Sequence, residues 1–90
     1  MDKLDHLMRS YKKHGGKQWR KEQVSKIRTV LKFSNCNDLH QLGSRMIIQF
    51  YIHLRSQNRS YKTLMSYFYA LKAGYEVLGR SSEPPRPRKF

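Results

Sequence analysis

Residues 47–79 have the sequence IIQFYIHLRSQNRSYKTLMSYFYALKAGYEVLG, and this stretch decides the fold. Its first part places apolar side chains at the spacing of one helix face, and these are Ile47, Phe50, Tyr51 and Leu54. A second face follows after the short basic turn 55–59, and it consists of Leu64, Tyr67, Phe68, Leu71, Tyr75 and Leu78. The stretch therefore predicts two apolar-faced helices joined by a short polar connection.

The ends of these two helices are marked by capping residues. Gly43-Ser44 offers a start for the earlier helix, and Ser60 is suited to cap the later one. The later helix is predicted to run from Tyr61 to Leu78, with Gly79 as its C-terminal stop. Gly74 lies inside that helix, where glycine costs about 1 kcal/mol relative to alanine. A close helix crossing would explain why glycine is there.

Two further helices are predicted upstream of this stretch. The first begins at a capping Asp2, ends at Gly15-Gly16, and has an apolar face made of Leu4, Leu7, Met8 and Tyr11. The second runs from about Lys17 to Phe33, and its buried side is predicted to contain Val24, Ile27, Val30 and Leu31. Because no strand-type alternation of useful length occurs, the sequence predicts an all-α bundle of about four helices.

The connections complete the predicted domain organisation. Ser34 to Asp38 form a polar break, after which Leu39 and Leu42 are predicted to be buried loop anchors or a short helical turn. Ninety residues are enough for one domain at most. We expect a helical domain over 1–79. Residues 80–90 contain three prolines, which a helix does not accommodate, and form a basic linker or tail.

The charge of the chain points to a polyanionic partner. Lysine and arginine number 19 against 6 acids, which gives a net charge of +13. Such an excess favours nucleic acid first and an acidic membrane surface second. A merely soluble basic protein is the alternative. Because copies carrying +13 repel one another, we expect a monomer in the absence of DNA.

Several classes of protein are disfavoured by what the sequence lacks. No apolar run approaches the roughly 20 residues of a membrane helix, and the first residues have no signal-peptide core. A single cysteine, Cys36, excludes an internal disulfide and fits a reducing cytoplasm. The few acids form no obvious acid/base pair, and no phosphate-cradling glycine motif or nucleophile elbow occurs. We expect neither catalysis nor a cofactor.

A zinc site would have to use the histidines and the single cysteine. The available ligands are His14, Cys36, His40 and His53. Cys36 and His40 stand four positions apart, and no second ligand pair accompanies them, so the spacing does not fit a zinc site.

Two groups of residues are candidate anion-binding sites. The predicted helix 17–33 carries a stripe of cations in which Glu22 is the single acid, and its members are Lys17, Arg20, Lys21, Arg28 and Lys32. This stripe cannot neutralise itself, which favours a DNA-facing role over an ordinary solvated face. At the start of the helix 61–78, Arg59, Lys62 and Thr63 could surround one phosphate. The alternative there is a Ser60 cap and nothing more, and the two interpretations are compatible.

The aromatic residues of the last helix also allow two interpretations. They could form a stacking platform for unpaired bases, or they could be core. Tyr67, Phe68 and Tyr75 align with the leucines and are predicted to be core. Tyr61 and Tyr69 lie off that face and are predicted to be exposed.

A family resemblance rests on residues 42–79. The motif is Leu42-x4-Ile47-x2-Phe50-x3-Leu54, followed by Arg59-Ser60-x2-Thr63-x6-Ala70-Leu71-x6-Leu78-Gly79. It resembles the core-binding domain of tyrosine recombinases of the phage integrase type. That domain is a small SAM-like bundle of about four helices, and a Pro-rich segment, like 83–87 here, connects it to a catalytic domain. In the order of its predicted helices and connections, the chain resembles this domain from about Leu4 to Pro87.

The resemblance implies a domain that clamps one face of duplex DNA without performing catalysis. The implied DNA-binding residues are Lys17, Arg20, Lys21, Arg28, Arg59, Ser60, Lys62, Thr63, Ser66 and Tyr69. The family's catalytic residues belong to a separate domain, which would follow Phe90, so none of the tyrosines here is the nucleophile. The catalytic half is missing, which leaves an excised domain or a short natural protein. The implied location is the bacterial cytoplasm, in a bacterial or phage-encoded protein associated with DNA.

Two other functional classes remain open from the sequence. SAM-like bundles also mediate protein interactions, although the net charge of +13 disfavours self-association. A small phage regulator that binds nucleic acid, including RNA, is the other alternative.

Overall fold

The computed structural model describes residues 17–88, and every regular element among them is helical. Helix α1 spans Lys17–Phe33, α2 spans Ser44–Ser56 and α3 spans Tyr61–Leu78. A 3-10 turn at Leu39–Gln41 lies between α1 and α2. The prediction of an all-α fold is confirmed for this part of the chain. None of these helices is both long and apolar enough to cross a membrane.

The predicted helix boundaries agree with the observed ones. The predicted first helix, from Asp2 to Gly15-Gly16, lies outside the described residues. Ser60 caps α3 by accepting a hydrogen bond from the Thr63 amide. Gly79 ends α3 in the left-handed conformation with φ of 72°, which glycine adopts at little cost.

Two asparagines reverse the chain direction after α1 and α2. Asn35 has φ of 56° and Asn58 has φ of 60°, both in the left-handed region. Asparagine tolerates this conformation better than most residues with a side chain. Each helix in the described region is therefore followed by a residue suited to a left-handed turn.

The core is formed by one face of each helix and by the 3-10 turn. Its buried members include the predicted sets of α1 and α2, most of the predicted set of α3, and Leu39 and Leu42 between α1 and α2. Leu78, predicted to be on the buried face of α3, is only partly buried. Phe68 and Tyr75 are buried as predicted, whereas Tyr67 is only partly buried and packs against the core through the Phe50 ring. Burial of this face supplies most of the driving force for folding.

Helices α1 and α3 cross closely at Gly74. A Cβ atom at this position would lie 2.6 Å from Leu39 Cδ2 and 3.1 Å from Ile27 Cδ1. The first distance is too short for two carbon atoms, so the absence of a side chain is what lets α1 and the 3-10 turn approach α3. The crossing predicted from this glycine is confirmed.

Residues 80–88 run extended across the outer faces of α2 and α3. The Tyr51 hydroxyl donates to the Pro85 carbonyl at 2.9 Å, and the Arg55 guanidinium donates to the Arg88 carbonyl. Pro84 and Pro87 are buried by this packing. This segment, hereafter the C-terminal strap, is thus packed onto the helices along its length.

The start of the strap is anchored by Arg80. Its guanidinium donates to the carbonyls of Leu39 and Leu42 at 3.3 and 3.2 Å. The same group lies 4.0 Å from the centre of the Tyr75 ring, a cation–π geometry. Arg80 therefore joins the loop before α2 to the C-terminal end of α3.

We expect the domain to lose stability above about pH 10, partly because Tyr51 is buried. Burial raises the pKa of the Tyr51 phenol well above its usual range. In strongly alkaline solution the unfolded chain loses this proton and the folded chain keeps it. The free energy of unfolding then falls by up to about 1.4 kcal/mol per pH unit for such a group.

The Tyr51→Phe variant should show a shallower alkaline decline when urea denaturation is measured across this pH range. At neutral pH it should be less stable by about 1 kcal/mol, because the bond to Pro85 is lost. Tyr69→Phe is the control, since Tyr69 is exposed. Parallel pH profiles for the wild type and Tyr51→Phe would contradict the prediction.

Candidate nucleic-acid interface

The N-terminus of α3 is built around the Ser60 side chain. Ser60 Oγ accepts from the Thr63 amide at 3.3 Å and lies 3.2 Å from Thr63 Oγ1. The Leu64 amide donates to the Ser60 carbonyl at 3.2 Å. The first amides of a helix have no partner within the helix itself, and the Lys62 amide has no hydrogen-bond acceptor among the described residues. The capping role is confirmed, and one amide remains available to an anion.

One face of α3 continues this site along the helix. Lys62, Ser66 and Tyr69 follow one another at intervals of four and three residues, which places them on the same face. Lys62 is exposed, and 56% of Tyr69 is accessible. Ser66 is half-buried, and its hydroxyl donates to the Thr63 carbonyl at 2.6 Å. Lys62 and Tyr69 are therefore the accessible groups, and the Ser66 proton is engaged within the helix.

Arg59 stands directly before the cap of α3. Its backbone amide donates to the Leu54 carbonyl at 3.1 Å, which closes the turn after α2. Its side chain is exposed. The turn therefore displays Arg59 beside the first turn of α3, which contains Lys62 and Thr63.

The basic residues of α1 form a second group. Lys21 and Arg28 are both exposed and are seven positions apart, so they lie on one face two turns from each other. Exposed Lys32 continues this face to the end of α1. Arg20 is half-buried and lies toward the side that packs on the core, and Lys17 is the first residue of α1. The accessible stripe therefore consists of Lys21, Arg28 and Lys32.

The two basic groups lie apart on the surface. Ile27 of α1, the neighbour of Arg28, packs against α3 at Gly74. Gly74 is 11 positions beyond Thr63, which at the helical rise corresponds to about 16 Å along α3. This length separates the start of α3 from its crossing with α1, and the basic residues of α1 lie on the solvent-facing side of that crossing.

Acidic side chains are scarce at these surfaces. No acid occurs in the first turn of α1, α2 or α3, where acids are favoured by the helix dipole. Of the described acids, Asp38 accepts from the His40 amide and Glu22 accepts from Gln18. Glu83 pairs with Lys72 at 3.5 Å. These acids are committed to local contacts and do not neutralise Arg59 or Lys62.

Sequence patterns did not show where the basic tail docks, and they missed an apolar surface on α2. The strap brings Arg86 and Arg88 beside Arg55 of α2. Ile48 and Ile52, also on α2, are 45% and 52% exposed. Their spacing of four residues, off the core face, was an available sequence signal for a second apolar face on α2. The docking of the strap had no such signal.

The basic surfaces can bind an anion through their positive charge and their hydrogen-bond donors. Guanidinium, ammonium and backbone amide groups all suit phosphate oxygens. Within residues 17–88, no three His, Cys, Asp or Glu side chains are grouped so as to hold a metal ion. A scan of protein-family models and searches of curated proteins and of solved structures returned no match to this chain.

Proposed function

We propose that this chain is a non-catalytic domain that binds double-stranded DNA mainly through its phosphates. The observation that carries the proposal is the exposed cluster of Arg59, Lys62 and the Lys62 amide at the start of α3. The helix dipole adds a partial positive charge at the same place. No nearby acid in the first turn competes with an incoming phosphate. A net charge of +13 supplies the long-range attraction.

The separation of the two basic groups supports a duplex as the ligand. The α3 start would hold one phosphate, and the stripe of Lys21, Arg28 and Lys32 on α1 would contact the backbone at a second place on the duplex. A stiff duplex can span such contacts without an ordering cost. Single-strand binding commonly uses several accessible aromatic rings on one surface. Among the aromatic residues of α3, Phe68 and Tyr75 are buried, and Tyr61 and Tyr67 are half-buried. Tyr69 remains accessible and could reach a sugar or phosphate oxygen.

We propose further that the domain is the core-binding, SAM-like part of a tyrosine recombinase of the integrase type. The support is the motif in residues 42–79, whose apolar members are buried except for the partly buried Leu78. The buried members are Leu42, Ile47, Phe50, Leu54, Ala70 and Leu71. In this proposal strand exchange is performed by a separate catalytic domain. The present chain contributes affinity and orientation on DNA.

The Arg59→Ala/Lys62→Ala variant tests the α3 site. Its affinity for a labelled duplex, measured by fluorescence anisotropy, should fall on the order of tenfold to a hundredfold. The slope of log affinity against log salt should become shallower by about two, because two phosphate contacts are lost. Circular dichroism should show unchanged helix content, since both side chains are exposed.

Arg45 provides a matched single-residue control for Lys62. Both are exposed cations at the second position of their helix, Arg45 in α2 and Lys62 in α3. Lys62→Ala should weaken DNA binding more than Arg45→Ala. Equal losses would indicate a diffuse charge effect and argue against a site at α3. Loss of helical signal in the double variant would mean that Arg59 and Lys62 are structural.

A further inference from the structure

A groove lies between the outer face of α2 and the C-terminal strap. Its volume is about 430 Å³, within the range of ligand-binding clefts. Ile48, Tyr51, Ile52 and Arg55 form the α2 wall, and residues 85–88 form the other. The two isoleucines are 45% and 52% exposed, one helical turn apart, so their apolar surface is open to solvent. A groove of this size can accept one or two bulky apolar side chains.

The hydrogen-bonding groups of the groove are arranged so that it offers donors. The Pro85 and Arg88 carbonyls of the strap already accept bonds from Tyr51 and Arg55. Pro85 and Pro87 have no backbone N–H, so the backbone offers no hydrogen-bond donor at these two positions. The charged side chains of the walls are Arg55, Arg86 and Arg88, and none is an acid. Arg86 and Arg88 are exposed residues, and the Arg86 guanidinium also lies 5.0 Å from the centre of the Phe68 ring. A ligand of this groove should therefore present apolar side chains together with anionic acceptors.

We propose that the groove is a docking site for a short acidic peptide segment of another protein, with two apolar anchors about one helical turn apart. The apolar anchors would cover Ile48 and Ile52, and flanking carboxylates would pair with Arg86 and Arg88. Arginine forms bidentate hydrogen bonds with carboxylates, which would also set the direction of the peptide. This inference does not depend on DNA binding.

The same observations disfavour two other occupants. A second copy of this chain also carries a net charge of +13, so the two copies would repel each other. None of the groove residues is acidic, so the groove offers no group that would offset this repulsion. A phosphodiester backbone would satisfy the arginines, but it would leave the exposed isoleucines uncovered. The combination of apolar walls and cationic rim is matched by an acidic peptide with apolar side chains.

The test uses the full chain and a fluorescein-labelled peptide of about twelve residues, acidic throughout except for two leucines four positions apart. We expect saturable binding at about 150 mM salt, where weak surface attraction is largely screened. The same peptide with alanines in place of the leucines should bind at least about tenfold more weakly, because the apolar contact is lost. Equal binding of the two peptides would overturn the proposal.

Variants of the chain locate the peptide. Ile52→Glu should weaken binding about tenfold or more, whereas Gln49→Glu adds the same charge to an exposed position of α2 outside the groove and should have less than about a twofold effect. Ile48→Glu gives a second, independent change in the same wall. Arg86→Gln should weaken binding about fivefold and Arg45→Gln should not. Equal effects of the groove and control variants would exclude the groove.

Duplex DNA serves as the remaining probe. If the groove binds peptide, Ile52→Glu should reduce DNA affinity no more than Gln49→Glu does, since both add one negative charge. A loss of DNA binding specific to Ile52→Glu, together with displacement of the peptide by DNA, would assign the groove to nucleic acid and overturn the proposal. DNA binding that fails altogether, with leucine-dependent peptide binding intact, would refute the proposed function and leave this inference standing.

Discussion

Affinity for duplex DNA is expected to fall about a thousandfold when the salt concentration rises from about 50 to about 200 mM. Binding that neutralises about six phosphates gives a slope near −5 for log affinity against log salt, because condensed counterions are released. The described surface offers enough exposed cations for this number, including Arg59, Lys62, Lys21, Arg28 and Lys32. Anisotropy titrations of a labelled duplex over a salt series would measure the slope.

Competition extends this prediction to the kind of nucleic acid. Unlabelled duplex DNA should displace the labelled duplex more effectively than single-stranded DNA or double-stranded RNA of the same length. Preferential displacement by RNA would favour the alternative of an RNA-binding regulator. An affinity for duplex DNA that is independent of salt would contradict the electrostatic account altogether.

Replacement of Phe68 by alanine should remove a large part of the stability of the domain. The ring is 0% exposed, and Arg86 stacks over it with Cζ 5.0 Å from the ring centre. Removing such a ring costs about 3–5 kcal/mol through lost burial and the cavity that remains. A chain of this length has a total stability of roughly 5–13 kcal/mol. Urea denaturation followed by circular dichroism would measure the loss.

The adjacent residue provides the control for this variant. Tyr69→Ala removes an aromatic ring of similar size from the next position of α3, where 56% of the side chain is exposed. We expect a cost below about 1 kcal/mol for this change. If both variants were equally stable, the assignment of Phe68 to the centre of the core would be wrong.

The helices of this domain were predictable because their sequence signals agree with one another. In α3, an apolar face, a capping serine and a terminal glycine indicate the same boundaries. The tertiary contacts favour the same helix as these local signals. Gly74 was informative as well, since a glycine inside a helix costs free energy unless a neighbour needs the space. Leu39 and Leu42 were predictable only as buried groups, since a short 3-10 turn has too few residues to show a period.

The C-terminal strap could not be predicted in its docked form. Its prolines exclude a helix, but neither periodicity nor charge indicates which surface an extended segment contacts. Packing depends on Tyr51 and Arg55, more than thirty positions away in the sequence. The partial exposure of Tyr67 has a similar origin, because its spacing matches the core while its contact is the edge of Phe50.

The candidate DNA site was predictable in part for similar reasons. Residues 59–63 are close in sequence, so their proximity follows from the turn itself. Arg20 and Ser66 show where residue type alone is insufficient, because one is half-buried and the other donates its proton to a backbone carbonyl. The position of α1 relative to the start of α3 could not be predicted without knowing how the two helices cross at Gly74.

The strap also bears on the order in which the domain folds. The strap has no helix or strand of its own, and its contact between Tyr51 and Pro85 joins residues 34 positions apart. Because such a segment can dock only on helices that are already packed, we expect these contacts to form after the main folding barrier. Interactions absent from the transition state act on the unfolding rate. The strap should therefore determine how long the native domain survives between openings more than how fast it forms.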